Sequence, residues 1–173
     1  MHRLLIDTGM PRRGSCRGTE PGTVELIGDA LAAELKARGW ETATSCRIPE
    51  LEDGSGRPSR CADMARRWGA DCLLRLYVRA AADPCAGSAD AMVFRRRSKA
   101  WEIAGTLLDS LEQENGMQNG GVRTAPGVVL LRRTPCPCVI LILRLSYREK
   151  EFPTEESVHH CAAVLADGLE KCL

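Results

Sequence analysis

Short apolar runs alternate with amphipathic stretches along most of the chain, and this alternation restricts the fold more than any other feature. The apolar runs have the length of buried strands, and the amphipathic stretches have the i, i+3, i+4 spacing of helices. Strands that alternate with helices indicate a largely parallel sheet with right-handed crossovers. We therefore expect an α/β fold over residues 1–173: a single three-layer domain with a mostly parallel central sheet of about six strands flanked by helices.

The pattern also predicts where the helices and strands lie. In the first helix, Thr23 is the expected N-cap, Glu25 lies in the first turn, and Gly39 ends the helix. A polar, glycine-rich link is expected over residues 115–127. The predicted helices span 23–38, 59–68, 98–114 and 154–169. The predicted strands span 4–7, 40–45, 70–78, 91–94, 128–132 and 138–145.

The overall charge excludes one class of function. The chain has 24 basic and 23 acidic side chains, a formal net charge of +1. A general nucleic-acid binder needs a clear cationic excess for its phosphate contacts, so we expect no nucleic-acid partner. The local basic runs at 95–99 and 132–133 are interpreted as solvated surface.

The nine cysteines are scattered without a CxxC pair, and several stand where a small apolar residue would serve. Free cysteine packs as a small hydrophobe, so we expect reduced thiols, most of them buried. The apolar run after Met1 is too short for a signal peptide, and no stretch has the length of a membrane span. The sequence as it stands predicts a cytoplasmic protein, or an extracytoplasmic one if a leader precedes Met1.

Several segments together carry a family resemblance. Asp7 to Met10 stands where the family has the turn DPGHGG, and a helix follows from Glu25. The strand 70–80 matches AD-apolar-SIHANA, and 119–123, 129–132 and 137–143 match the later segments NRGVK, VLR and PAVLVELGF. In order and spacing, from about residue 3 to residue 170, the chain resembles the type 3 N-acetylmuramoyl-L-alanine amidases. These are zinc enzymes that cut the bond between the lactyl group of muramic acid and the stem peptide of bacterial peptidoglycan in the cell wall.

The resemblance also assigns the metal site. In the family, zinc is held by the histidine of DPGHGG, the glutamate that opens the helix and the histidine of SIHANA. The glutamate of LVE acts as general base on the zinc-bound water. Those positions are occupied here by Met10, Glu25, Tyr77 and Ile142, so only the glutamate ligand is retained.

These substitutions disfavour zinc binding and zinc-dependent hydrolysis. A thioether such as that of Met10 is a weak zinc ligand, and a phenol with a pKa of about 10 is mostly protonated at neutral pH. Ile142 offers no proton acceptor at the base position. We therefore expect no cofactor, no catalytic residue and no enzymatic activity. Each residue also has a structural interpretation: Glu25 as a helix-dipole partner, and Met10, Tyr77 and Ile142 as packing residues.

Three arginines lie in the same region of the alignment. Arg75, Arg79 and Arg144 stand where the family has serine, asparagine and glycine. A half-buried guanidinium needs a carboxylate or phosphate partner. Internal carboxylates such as Asp7 and Glu25 would create a structural ion network, which we favour; alternatively, the arginines form an anion-binding cleft.

The sequence thus leads to three functional hypotheses. We favour a catalytically degenerate relative of the amidases, a pseudoenzyme that binds or regulates and lacks catalytic zinc. Its partner would be a cell-wall fragment, a small anion or another protein. The alternatives are an active peptidoglycan amidase or hydrolase with an altered metal site, and a structural interaction module whose cleft has no function.

Overall fold

The computed structural model of the chain describes residues 1–9, 22–45, 57–81, 87–146 and 154–173. The strands are β1 (Arg3–Asp7), β2 (Glu41–Thr44), β3 (Cys72–Ala80), β4 (Ser88–Val93), β5 (Gln118–Thr124) and β6 (Cys138–Leu145). The helices are α1 (Gly22–Ala37), α2 (Arg57–Trp68), α3 (Lys99–Asn115), α4 (Val129–Arg133) and α5 (Glu155–Glu170).

One sheet contains all six strands, in the order β2-β1-β3-β6-β4-β5. Neighbouring strands are parallel except for β4 and β6, which are antiparallel. Helices α1, α3 and α5 pack on one face of the sheet, and α2 and α4 pack on the other. The predicted fold is therefore confirmed: a three-layer α/β domain around a mostly parallel six-stranded sheet.

The larger half of the core lies under α1, α3 and α5. Each helix buries one apolar stripe, as for Leu31 in α1, Leu107 in α3 and Leu165 in α5.

Helix α3 has a defined start and end. Ser98 accepts a hydrogen bond from the backbone N–H of Trp101 at 3.3 Å, and Gly116 closes the helix in a left-handed conformation with φ of 64°.

The opposite face of the sheet positions the residues of interest. Its buried core includes Leu5, Leu73 and Ile140, which pack against α2 and α4. Side chains two residues apart on a strand share a face. The sheet register therefore places the following residues on this same face, toward the carboxyl ends of β1, β3 and β6: Asp7, Arg75, Tyr77, Arg79, Ile142 and Arg144.

Two predicted elements are wrong. The predicted strand 128–132 is the short helix α4, and the predicted link 115–127 contains the strand β5. Strand β5 was missed because its sequence, QNGGVRT, is polar and glycine-rich, and because most of it is exposed at the edge of the sheet. The strand count was right only because these two errors compensate.

Two further features of the described residues bear on the predictions. Of their six cysteines, Cys61, Cys72, Cys138 and Cys161 are buried, as expected. None of the helices in these ranges is both long and apolar enough to cross a membrane.

Candidate functional site

The structure brings two of the four aligned positions together. Tyr77 and Ile142 are direct partners in the parallel β3–β6 ladder, so their side chains leave the same face of adjacent strands. Ile142 is 4% exposed, and Tyr77 is half-buried beside it. Met10 lies outside the described residues.

Glu25 lies in the first turn of α1, near the carboxyl end of β1. Gly28, one turn later on the same side of the helix, is so close to the end of β1 that a Cβ there would meet Thr8 Cγ2 at 2.6 Å. Glu25 is half-buried. It therefore lies at the edge of the sheet where the carboxyl ends of the parallel strands lie.

Arg75 forms a buried ion pair with Asp7, across the β1–β3 ladder. Nε and Nη2 of Arg75 lie 2.6 Å and 2.5 Å from the same oxygen, Oδ2 of Asp7. The other oxygen, Oδ1, accepts hydrogen bonds from the Ser45 hydroxyl at 2.7 Å and from the Gly9 backbone N–H at 3.1 Å. Since Asp7 is fully buried, this carboxylate is charged only by virtue of such partners.

The Arg75 charge is stable in this environment. Burial of the guanidinium is the largest single effect and opposes its charged form, but the Asp7 carboxylate, Tyr77 and Cys61 together outweigh it and raise the pKa of Arg75 above its ordinary value. The guanidinium carbon also lies 5.8 Å from the centre of the Tyr77 ring, within cation–π range. A permanent cation thus occupies the position next to the tyrosine.

A second carboxylate, Asp90 in β4, pairs with Arg144. Asp90 is 5% exposed, and its Oδ1 is in contact with Nη1 of Arg144. Its Oδ2 lies 3.4 Å from Nη2 of Arg123 in β5, close enough for an ion pair but without hydrogen-bond geometry. Asp90 also faces Ile142 directly across the β4–β6 ladder.

The sequence interpretation did not include Asp90 or Arg123. One signal pointed to Asp90: it stands alone between small apolar residues in Ala89-Asp90-Ala91-Met92. A carboxylate inside an apolar strand is rarely buried without a partner. Its pairing with Arg144 depends on the antiparallel placement of β4 beside β6, which the sequence pattern did not predict.

Arg79 differs from the other two predicted arginines. It is exposed near the end of β3, directly beside Arg144 in the β3–β6 register. Within the described ranges it has no hydrogen bond or ion pair. The three arginines therefore separate into a buried pair with Asp7, a half-exposed pair with Asp90, and one solvent-exposed cation.

The described residues do not fit a catalytic zinc ion. Zinc needs three nitrogen, sulfur or oxygen ligands and an open position. Here the aligned positions offer one carboxylate, one phenol and one alkyl chain, next to the buried Arg75 cation. Among the described residues, no group of three histidine, cysteine, aspartate or glutamate side chains has the geometry to hold a metal ion.

Two of the described cysteines, Cys136 and Cys138, lie at the start of β6. Burial is the main cause that raises the pKa of Cys138 to about 12 and that of Cys136 to about 11. Both side chains are therefore protonated at neutral pH. In this state neither thiol is a nucleophile.

Solved structures identify the fold. The catalytic domain of CwlV, an N-acetylmuramoyl-L-alanine amidase from Bacillus (Paenibacillus) polymyxa var. colistinus, is 19% identical, with a TM-score of 0.76 over 99% of this chain and 97% of that one. The amidase AmiC2 of Nostoc punctiforme is 17% identical, with a TM-score of 0.77 over 98% and 96%. The CwlD amidase of Clostridioides difficile, solved in complex with the GerS lipoprotein, is 13% identical, with a TM-score of 0.74 over 99% and 98%.

No family model and no curated protein sequence matches the chain. The structural likeness covers nearly the whole of both chains in all three comparisons. The predicted amidase fold is therefore confirmed.

Proposed function

We propose that this chain is a catalytically inactive protein with an amidase fold, which acts by binding and lacks the catalytic zinc. The observation that carries the proposal is the neighbourhood of Tyr77 and Ile142. An alkyl chain, a phenol and a buried guanidinium stand together where the family has a glutamate, a histidine and a serine. Its partner would be a cell-wall fragment, a small anion or another protein.

The charges around this position support the loss of hydrolysis. Amide hydrolysis needs a group that takes a proton from the attacking water. Ile142 has no acceptor, and Arg75 offers only donors. Two of the nearby carboxylates are engaged, since Asp7 is fully buried against Arg75 and Asp90 is paired with Arg144; Glu25 is the remaining one.

Metal analysis combined with an activity assay tests the proposal. Protein purified from zinc-supplemented cultures is analysed for bound zinc, and the same samples are incubated with purified peptidoglycan. We expect a zinc content well below one ion per chain and no release of stem peptide by mass spectrometry. The CwlV catalytic domain serves as the positive control.

One pair of variants tests whether Glu25 belongs to a residual metal site or serves only as a partner of the helix dipole. Glu25→Ala removes the one retained ligand position, and Glu156→Ala removes an exposed first-turn carboxylate of α5 as a matched control. We expect neither variant to change zinc content or turnover. Stoichiometric zinc with turnover that Glu25→Ala abolishes and Glu156→Ala leaves intact would instead show an active hydrolase with an altered metal site.

A further inference from the structure

We propose that Arg79 and Arg144 form a binding site for the anionic group of a small ligand, a carboxylate or a phosphate. The inference rests on the proposed function, since it assigns a ligand class to the region from which the metal site has been lost. It uses described residues only, all on the sheet face that carries Tyr77 and Ile142.

The two arginines are placed to act together. They are register partners on adjacent parallel strands, about 4.8 Å apart in the hydrogen-bonding direction, and their side chains leave the same face. Like charges directly opposite each other destabilise a sheet. An anion held between the two guanidinium groups removes that repulsion, and each group offers a planar fork of donors that fits carboxylate and phosphate oxygens.

The charge balance of the cluster leaves a positive excess. Arg75 is neutralised by Asp7, and Arg123 and Arg144 share the single carboxylate of Asp90. Arg79 has no carboxylate partner among the described residues. With Glu25 included, these four arginines face three carboxylates at this edge of the sheet, so the described residues carry a positive excess, which favours an anionic ligand over a neutral or cationic one.

The residues beneath the arginines strengthen this interaction. Tyr77 and Ile142 precede Arg79 and Arg144 by two positions on their strands, so they lie on the same face, one step deeper. Ile142 is nearly fully buried and carries no polar atom to compete for the ligand. Beside such an apolar surface, a charge-assisted hydrogen bond is stronger than one in bulk water.

Calorimetric titration tests the site. Inorganic phosphate and sodium acetate are titrated separately into the wild-type protein at constant ionic strength, with chloride as the balancing anion. We expect saturable binding of at least one of the two, and the two arms distinguish a phosphate ligand from a carboxylate ligand. Arg79→Ala is expected to weaken binding at least tenfold, the loss of one hydrogen-bonded charge.

Two further variants control the measurement. Arg67→Ala removes an exposed arginine of α2 and should leave the affinity unchanged. Asp90→Asn removes the carboxylate that competes for Arg144 and should tighten binding, whereas a purely structural network predicts no gain. A thermal melt confirms that each variant is folded. Absence of saturable binding of both anions, or equal effects of Arg79→Ala and Arg67→Ala, overturns the site.

The two proposals can be refuted independently of each other. Zinc content and peptidoglycan turnover are measured on the same preparations. Stoichiometric zinc with turnover would overturn the proposed function whatever the titrations show. Absence of zinc together with absence of anion binding would overturn only the ligand site.

Discussion

Among the described residues, the Asp7–Arg75 ion pair is the most deeply buried, with side-chain exposures of 0% and 8%. Arg75→Met is the most informative change, because methionine keeps most of the length of the side chain and removes its charge and donors. Asp7 then keeps the hydrogen bonds from Ser45 and Gly9 but loses both contacts to the guanidinium. The variant therefore measures what the loss of the guanidinium partner costs at this position.

The expected cost is large relative to the stability of the whole chain. Removing one partner of a buried pair destabilises a protein by about 3–5 kcal/mol, because the remaining charge is left uncompensated. A domain is typically stable by about 5–15 kcal/mol in total. At about 2–4 °C per kcal/mol for a chain of this size, the melting temperature should fall by roughly 6–20 °C.

Urea unfolding monitored by circular dichroism measures this effect, with the free energy of unfolding taken at constant m-value. Arg66→Met is the control: Arg66 pairs with Asp63 at 3.1 Å on the surface, and its loss should cost less than about 1 kcal/mol. The double variant Asp7→Asn/Arg75→Met should be less destabilised than the sum of its single variants, because it buries no unpaired charge. A loss below about 1 kcal/mol for Arg75→Met, or simple additivity in the cycle, would refute the reasoning.

Two further predictions concern stability. Gly28→Ala should destabilise the protein by about 1–3 kcal/mol, because the new Cβ would meet Thr8 Cγ2 at 2.6 Å. Gly105→Ala in α3, where a Cβ would meet open space, should stabilise it by up to about 1 kcal/mol. A change of the same sign for both variants in urea unfolding would contradict this prediction. Burial raises the pKa of Cys161 from 9.0 to about 12, so the unfolded chain loses this proton first and stability falls as pH rises from 9 toward 12. Cys161→Ala should reduce that slope by about 1.4 kcal/mol per pH unit, and an unchanged slope in unfolding titrations would count against it.

The sequence predicted the elements that bury one clear apolar stripe or run. The four long helices were located to within one or two residues of their observed ends, because period-3.6 apolar stripes and N-caps such as Ser98 and Thr154 are local signals. The errors arose where burial depends on position in the sheet. In α4, Leu130 and Leu131 belong to an apolar run that suits a strand equally well, and the polar β5 is recognisable only from its place beside β4.

The candidate site was predictable in its parts, but its pairing was predicted only for Asp7. The spacing along the resembling strands brought Tyr77 and Ile142 to neighbouring positions, and the register places them there. Asp7 was correctly named as a partner for an arginine. Asp90 was not named, because its strand β4 runs antiparallel to β6 and its partner Arg144 is distant in sequence.

Side-chain exposure increases along β3 and β6 toward their carboxyl ends. This gradient separates two roles of the arginines, stabilising the fold and binding a ligand, which the sequence pattern alone does not distinguish. Arg75 is held in the interior by a carboxylate that is itself fully buried, so its guanidinium is already occupied by Asp7. Arg144 is half-exposed and paired on one side only, and Arg79 is exposed. The same residue type thus stabilises the fold at the inner position and is available for a ligand at the outer ones. A test of ligand binding must therefore begin at Arg79, and a test of stability at Arg75.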